Sequence, residues 1–178
     1  AAVLFFTNSS SGSDPQNGNV LADYANLGRP LVLATFAWAD QGGNTLSGRI
    51  ISEAISPVVL TGSSRYTTVT IATKDNSNFL QGVTSITGYY HDSVAAVTGA
   101  TVHATWSDGT PLLVSKGNVV AVNLFPTSDM VSGDYQKLFA NALYYAVPEP
   151  STYALMAVGV ALVFWLRRRA ARGKDSEP

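Results

Sequence analysis

The sequence of 178 residues contains no cysteine. This absence excludes disulfide bonds, thiolate metal sites and a cysteine nucleophile. Charged residues are also scarce: they make up 13% of the chain, about half the usual share. Residues 1–146 carry six basic and nine acidic side chains, a net charge of −3. No basic cluster of the kind that binds nucleic acid is present there, so we expect no nucleic-acid partner.

The chain ends in an apolar segment followed by arginines. Residues 153–166 read YALMAVGVALVFWL without a charge. With Ser151 and Thr152 the uncharged run has 16 residues, which as a helix would be roughly 24 Å long, somewhat short of a ~30 Å hydrocarbon core. The segment has no polar stripe at helical period, which disfavours the alternative of a buried core helix. We predict a transmembrane helix here, with residues 1–150 on the far side of the membrane and residues 167–178 as a basic cytoplasmic tail. The cluster at the membrane boundary consists of Arg167, Arg168 and Arg169.

A short proline motif precedes this segment, formed by Val147, Pro148, Glu149 and Pro150. Together, VPEPSTYALMAVGVALVFWLRRR resembles the PEP-CTERM sorting signal of Gram-negative bacteria, which combines Pro-Glu-Pro, a short transmembrane helix and a basic cluster. The resemblance makes residues 147–152 the sorting motif. It implies a precursor anchored in the inner-membrane lipid, cleavage near the motif by an exosortase, and delivery to the cell surface or exterior. The acidic extension KDSEP at the end departs from the pattern.

The first 37 residues have the pattern of strand, helix and strand. Residues 1–7 and 31–37 are apolar runs that suit strands buried on both faces of a parallel sheet. Residues 8–19 are dense in turn formers, which predicts a loop, and residues 20–27 have helical spacing before Gly28. This order predicts a βαβ unit.

The rest of the body favours antiparallel strands. Ser107-Asp108-Gly109 separates two strand-like runs and predicts a hairpin. We predict an α/β fold, a sandwich with an antiparallel extension, over residues 1–146. The further predicted strands are 66–73, one within 86–97, 100–106, 111–115 and 119–125; a helical turn is predicted within 49–55 and a helix over 133–146.

The body also resembles a known family of α/β domains. NVLADYANLGRPLVLATFA, DNSNFLQGV, WSDGTPLLVSKGNVVAVNLFP and DYQKLFANAL are similar to segments of class I glutamine-amidotransferase-like domains, especially the trehalose-utilisation type and the domains attached to β-galactosidases. The resemblance implies a flavodoxin-like sheet. It also implies a further βα unit before residue 1, so we expect a fragment of a longer precursor; the alternative is a signal peptide removed just before Ala1.

Catalytic chemistry is not indicated by the candidate residues. In the resembled family a nucleophilic cysteine follows the strand that corresponds to residues 31–37, and this chain has none, which implies a degenerate domain. Thr35 could replace it only beside a base. His91 and Asp92 are neighbours on a predicted strand and should point to opposite faces. His103 lies inside an alternating strand, where a packed or edge-exposed histidine is a simpler interpretation than a catalytic one.

Other site chemistries also lack a pattern. No pair of acids is singled out for glycoside hydrolysis. Asp40 to Asn44 lacks the acid spacing of calcium loops, so we expect a surface loop and no metal or cofactor. Trp38 is the candidate ligand contact, as a surface on which a sugar could stack. The acids considered are Glu53, Asp75, Asp92, Asp108, Asp129 and Asp134.

These observations favour an exported envelope protein with a non-catalytic α/β domain, associated with exopolysaccharide or other surface material. One alternative is a glycan-acting hydrolase whose site lies partly in N-terminal residues outside this chain. Another is a self-assembling surface protein that uses an unpaired sheet edge.

Overall fold

The computed structural model describes residues 1–8, 14–39, 45–127 and 129–146. The chain divides into two units, Ala1–Pro148 and Glu149–Pro178, and the described residues all belong to the first. Their helices are α1 (Asp14–Asn26), α2 (Arg49–Ser52) and α3 (Tyr135–Tyr145), with a 3-10 turn at Asn78–Leu80. Their strands are β1 (Val3–Phe5), β2 (Leu31–Ala34), β3 (Val58–Lys74), β4 (Ile86–Ala96), β5 (Thr101–Trp106), β6 (Pro111–Lys116), β7 (Val119–Val122) and β8 (Ser132–Gly133).

The strands form one mixed sheet in the order β1-β2-β7-β6-β5-β3-β4-β8. β1, β2 and β7 are parallel to one another, and the remaining pairings are antiparallel. The α/β class and the antiparallel extension are therefore confirmed. The predicted hairpin is β5 and β6, in which Thr101 faces Ser115.

Two apolar cores cover the two faces of the parallel strands. Leu31 and Leu33 of β2 pack in the same core as Ala22 of α1 and Ile50 of α2. Val32 and Ala34 point to the other face and share a core with Leu138 of α3. Burial on both faces explains why β2 and β7 read as continuous apolar runs, as a parallel strand between helical layers requires.

Helix α1 begins earlier than the sequence predicts, at Asp14 instead of residue 20. The predicted loop was wrong over residues 14–19, because these polar and turn-forming residues already belong to the helix. Pro15 is tolerated in the first turn, where a missing N–H costs little. Gly18 faces the backbone of Ser47 so closely that a β-carbon would overlap the Ser47 carbonyl oxygen. Tertiary packing against Ser47 therefore stabilises the helix over residues 14–19, although their polar and turn-forming composition does not favour a helix.

Strand β3 is much longer than the predicted strand 66–73. Its first part pairs with β4 and its last part with β5, so it joins the two halves of the sheet. Residues 61–68 are mostly exposed, and Gly62 and Ser63 lack the apolar alternation of a half-buried strand. Backbone pairing to β4 holds this part, and backbone pairing does not require a particular composition.

No helix within the described part of the chain is long and apolar enough to cross a membrane. The predicted span 153–166 lies outside the described residues.

Candidate functional site at the carboxyl edge of the parallel strands

The three parallel strands end at the same side of the sheet, and the residues that follow them form what we call the carboxyl edge. Phe6 and Thr7 follow β1, Thr35 and Phe36 follow β2, and residues 123–125 follow β7. The Thr7 hydroxyl donates to the Phe36 carbonyl at 3.1 Å, which ties the first two segments together. Ligands of open α/β sheets bind outside the carboxyl ends of the strands, so we expect a ligand-binding site at this edge.

A buried polar network lies under the edge, formed by Thr35, Asp92 and Asn123. The amide oxygen Oδ1 of Asn123 accepts from the Thr35 hydroxyl at 2.9 Å and from the Asp92 backbone N–H at 2.7 Å. Its Nδ2 donates to the carbonyls of Asp92, at 2.8 Å, and Pro111, at 3.0 Å. The amide thus uses both donors and both acceptor lone pairs within the protein. Asn123 therefore connects the end of β2 to β4 and β6.

The contact that the Thr35 hydroxyl makes does not supply the base that a nucleophile needs. The Thr35 side chain is fully buried, and its hydroxyl donates to the amide oxygen of Asn123. An amide oxygen accepts a hydrogen bond but does not take up a proton near neutral pH. Thr35 was expected to act as a nucleophile only if a base lay beside it, and the hydrogen-bond acceptor of its hydroxyl, Asn123, is not a base.

Asp92 is a buried carboxyl group. Its Oδ1 accepts from the Ser64 hydroxyl at 2.8 Å, and the backbone N–H of Ala39 also donates to the carboxylate. Oδ2 finds no hydrogen-bond partner among the described residues. Burial raises the pKa of Asp92 to about 6, and the bonds from Ser64 and Ala39 offset only part of that rise. Asp92 therefore gains a proton at mildly acidic pH.

His91 points away from Asp92, as strand alternation predicts, and has a different partner. Its Nε2 lies 2.9 Å from Oδ2 of Asp108, which also accepts from Arg65 at 2.9 Å. Partial burial raises the pKa of Asp108, but the bonds from Thr110 and His91 outweigh this effect and lower the pKa to about 2. The sequence assigned Asp108 to its turn alone and missed the link to His91, which spans 17 residues.

An aromatic cluster lies at the edge, and several of its members are close in sequence to the network residues. It consists of Phe6, Phe36, Tyr66, Tyr90 and Phe125. Phe36 is central, with ring centroids 5.1 Å from Phe125, 5.8 Å from Tyr90 and 6.3 Å from Tyr66. Tyr66 and Tyr90 meet edge to face at 5.7 Å, and Tyr66 is 50% exposed. The cluster thus ends in an aromatic ring that solvent reaches.

Trp38, the predicted ligand contact, lies in the core shared by α1 and α2. It is only 2% exposed, and its indole N–H donates to the Ser56 hydroxyl at 3.1 Å. Packing accounts for this ring, and the described residues give its predicted ligand contact no support. The sorting residues Val147, Pro148, Glu149 and Pro150, and the cluster Arg167, Arg168 and Arg169, lie outside the described residues.

The other candidate acids are dispersed. Glu53 pairs with Arg49 at 3.0 Å on the surface, and Asp129 is exposed. Asp134 caps no helix N–H with its side chain; instead, bonds from Thr84 and Ser85 lower its pKa to about 2. Across the described ranges, no three or more histidines and acids gather as a metal site would require.

His103 lies on the α3 side of the sheet, where Asp75 and Ser115 flank its ring at 2.7 Å each. The sequence interpretation of His103 as a packed or edge-exposed residue missed both of these hydrogen-bond partners. The register of the β5–β6 hairpin could have been used to predict that His103 lies near Ser115. No local pattern in the sequence predicts the contact between His103 and Asp75.

Solved structures with a similar fold are found among bacterial and archaeal proteins. A cytoplasmic protein from Salmonella typhimurium has a TM-score of 0.62 at 15% identity, over 81% of this chain and 70% of the other. A ThuA-like protein from Bacteroides uniformis has a TM-score of 0.57 at 11% identity, over 84% and 71%. A GMP-synthase-type protein from Thermoplasma acidophilum has a TM-score of 0.56 at 10% identity, over 88% and 75%. At these identities the likeness concerns the fold alone.

No curated protein sequence matches the chain. Residues 146–169 match the model of the PEP-CTERM protein-sorting motif, which confirms the resemblance of the C-terminal segment. The motif implies an exosortase as processing enzyme and a membrane-anchored precursor. This chain therefore carries a PEP-CTERM sorting motif, which implies export, C-terminal to a mixed α/β domain whose fold is similar to that of the ThuA-like protein.

Proposed function

We propose that the protein is a cell-envelope or extracellular binding protein whose α/β domain attaches to exopolysaccharide through the carboxyl edge, without catalysis at that edge. The sorting motif at 146–169 supports the destination. The observation that supports the binding role is the aromatic cluster, in which half-exposed Tyr66 packs against Phe36 of the carboxyl edge, the side of open α/β sheets where ligands commonly bind.

The chemistry of the cluster suits a sugar. Aromatic rings offer a flat apolar face on which the C–H face of a pyranose can pack, and binding sites combine such rings with a few polar groups. The rings of Tyr66 and Tyr90 are buttressed by Phe36, so little side-chain freedom is lost on binding. The Thr35–Asn123 contact below them supports binding without chemistry, since it engages the buried Thr35 hydroxyl.

Export and processing are tested on the protein recovered from its native cells and medium. Intact mass and C-terminal peptide mapping should show a new C-terminus near Pro148–Pro150, with the arginine cluster absent from the released form. Recovery only from membranes, with a C-terminus at Pro178, would reduce the motif to a plain anchor and contradict surface delivery.

Binding is tested by affinity electrophoresis of the full chain in gels that contain the polysaccharide of the source cells. Tyr66→Ala should weaken retardation about 10-fold, because it removes the exposed ring of the cluster. Tyr144→Ala is the matched control: this tyrosine is 71% exposed on α3, outside the cluster, and its loss should change nothing. Equal retardation of the wild type and both variants would refute the edge as the binding surface.

A further inference from the structure

Three side chains on the α3 side of the sheet form a continuous hydrogen-bonded chain. Nδ1 of His103 lies 2.7 Å from Oδ2 of Asp75, and Nε2 lies 2.7 Å from the hydroxyl of Ser115. A carboxylate only accepts, so Nδ1 carries the proton and donates to Asp75. Nε2 of the neutral ring is then the acceptor for the Ser115 hydroxyl. We infer that Ser115, His103 and Asp75 form an acyl-transfer site that hydrolyses neutral carboxylic esters.

The order of contacts is the one that a serine nucleophile needs. The base must reach the hydroxyl with one ring nitrogen while a carboxylate holds the other in the correct tautomer. These roles are recognised by geometry and not by position in the chain, and here they follow the order Asp75, His103, Ser115.

Rigid elements hold the three groups. His103 is on β5 and Ser115 on the adjacent strand β6, near the register pair Thr101–Ser115. Asp75 is tied to His103 twice, since its backbone N–H also donates to the His103 carbonyl at 2.9 Å. Its Oδ1 accepts from the Ser77 N–H at 2.9 Å. The geometry therefore does not depend on a single side-chain contact.

The imidazole is also held from one side by an aromatic ring. The ring centroids of Phe79 and His103 are 5.0 Å apart, and Phe79 in turn meets Tyr145 of α3 at 6.4 Å. The His103 side chain is 10% exposed and that of Asp75 43%, so the base is sheltered while solvent reaches the site. Asp75 also lines a groove of about 420 Å³ formed within residues 74–84, which borders the site on the side of this carboxylate.

This site is separate from the carboxyl edge. Ser115 pairs with Val120, and the neighbouring Lys116 pairs with Val119, the first residue of β7. The carboxyl edge follows Val122, at the other end of the same strand. Ester hydrolysis here is therefore independent of the proposed binding at the edge, and either can fail without the other.

The reaction balances with water as the only co-substrate. The Ser115 Oγ forms a bond to the ester carbonyl carbon while its proton passes to Nε2 of His103. The carbon–oxygen bond to the alcohol then breaks, and the alcohol leaves with that proton. Water attacks the acyl-serine by the same route, which releases the carboxylic acid and restores the Ser115 hydroxyl.

The surroundings favour an uncharged substrate. The two nearest lysines along these strands are engaged elsewhere: Lys74 donates to the Val83 carbonyl and Lys116 to the Ala54 carbonyl, each at 2.7 Å. Thr101, opposite Ser115, is neutral. Both ammonium groups keep their charge but are already hydrogen-bonded to backbone carbonyls, and a neutral ester needs no counter-charge.

The test combines covalent labelling with turnover on the full chain. A fluorophosphonate probe should add to the peptide that contains Ser115, and the protein should hydrolyse p-nitrophenyl acetate. Ser115→Ala should abolish labelling and lower the enzyme-dependent rate about 100-fold or more. Ser52→Ala, an exposed serine on α2, is the control and should match the wild type.

A second variant separates chemistry from misfolding. His103→Gln keeps a polar side chain and should also lose both labelling and turnover, while urea unfolding confirms that each variant is folded. A folded wild type that is not labelled at Ser115, or a folded Ser115→Ala variant that hydrolyses the ester at the wild-type rate, overturns the inference.

Discussion

Asn123 and Asp92 are joined by two hydrogen bonds, in which the Asp92 N–H donates to Oδ1 of Asn123 at 2.7 Å and Nδ2 of Asn123 donates back to the Asp92 carbonyl at 2.8 Å. The side-chain amide thereby makes the two backbone hydrogen bonds that a neighbouring strand would otherwise make to Asp92. It satisfies the backbone of β4 at the point where β7 has ended, and it couples the antiparallel part of the sheet to the parallel part.

Replacing Asn123 should destabilise the fold strongly. Asn123→Ala leaves the Asp92 N–H, two carbonyls and the Thr35 hydroxyl without this buried partner, and we expect a loss of about 2–4 kcal/mol in the free energy of unfolding. Thr35→Val removes one bond of the set and should cost about 1 kcal/mol. Urea unfolding measures both; equal losses in the two variants would show that the amide is not the centre of the network.

Removing the charge of Asp92 should stabilise the protein above neutral pH. The carboxyl group titrates near 3.8 when unfolded and at about 6 when folded, so the folded state binds the proton more tightly between these values. Stability contributed by Asp92 is therefore present at low pH and lost as the pH rises through about 6. Asp92→Asn should gain up to about 3 kcal/mol over the wild type near pH 8.

The comparison near pH 4 is the control for Asp92→Asn, because the wild-type carboxyl group is then protonated in the folded state and the gain should vanish. Taking the difference between variant and wild type at each pH cancels the other acids. A gain or loss of the same size at both pH values would show that Asp92 does not titrate as its burial predicts.

Asp108 and Arg65 form an ion pair, but we expect Asp108 to contribute more than Arg65 to the stability of the fold. Asp108→Ala leaves Nε2 of the fully buried His91 without its partner and should cost about 2–3 kcal/mol. Arg65 is an exposed member of the same ion pair, so Arg65→Ala should cost about 0–1 kcal/mol. Thermal or urea unfolding measures the loss of stability in each variant. Similar losses for Asp108→Ala and Arg65→Ala would mean that the ion pair, and not the contact with His91, accounts for the stabilisation.

The pH dependence of Asp108 has the opposite sign to that of Asp92. Its pKa is about 2 in the folded state against 3.8 in the unfolded chain. Its stabilising effect is therefore present above about pH 4 and lost as the pH falls towards 2. The difference in stability between the wild type and Asp108→Ala should shrink over that interval; a constant difference would argue against a depressed pKa.

Gly18 should tolerate no side chain. A β-carbon would overlap the Ser47 carbonyl oxygen, so Gly18→Ala must separate α1 from the segment that leads into α2, at a cost of about 1–3 kcal/mol in the free energy of unfolding. Val20→Ala on the same helix removes a 66% exposed side chain and should be nearly neutral. A neutral Gly18→Ala variant would mean that α1 does not approach Ser47 this closely.

Sequence patterns predicted the features that depend on neighbouring residues. The apolar runs of β2 and β7, the hairpin turn at residues 107–109 and helix α3 all follow from local periodicity and turn chemistry. The exposed part of β3 and the polar start of α1 escaped prediction because pairing and close packing hold them, and neither produces an apolar pattern.

The export of this protein could be read from the chain alone, because a sorting motif is a linear segment. The α/β class could be read in the same way, because burial on two faces demands continuous apolar strands. The candidate sites, in contrast, exist only in the folded chain. Thr35 and Asn123 lie 88 residues apart, and Asp75 meets His103 across 28. Such contacts are set by strand order and by bulges that shift the register, and no single segment of the chain encodes them.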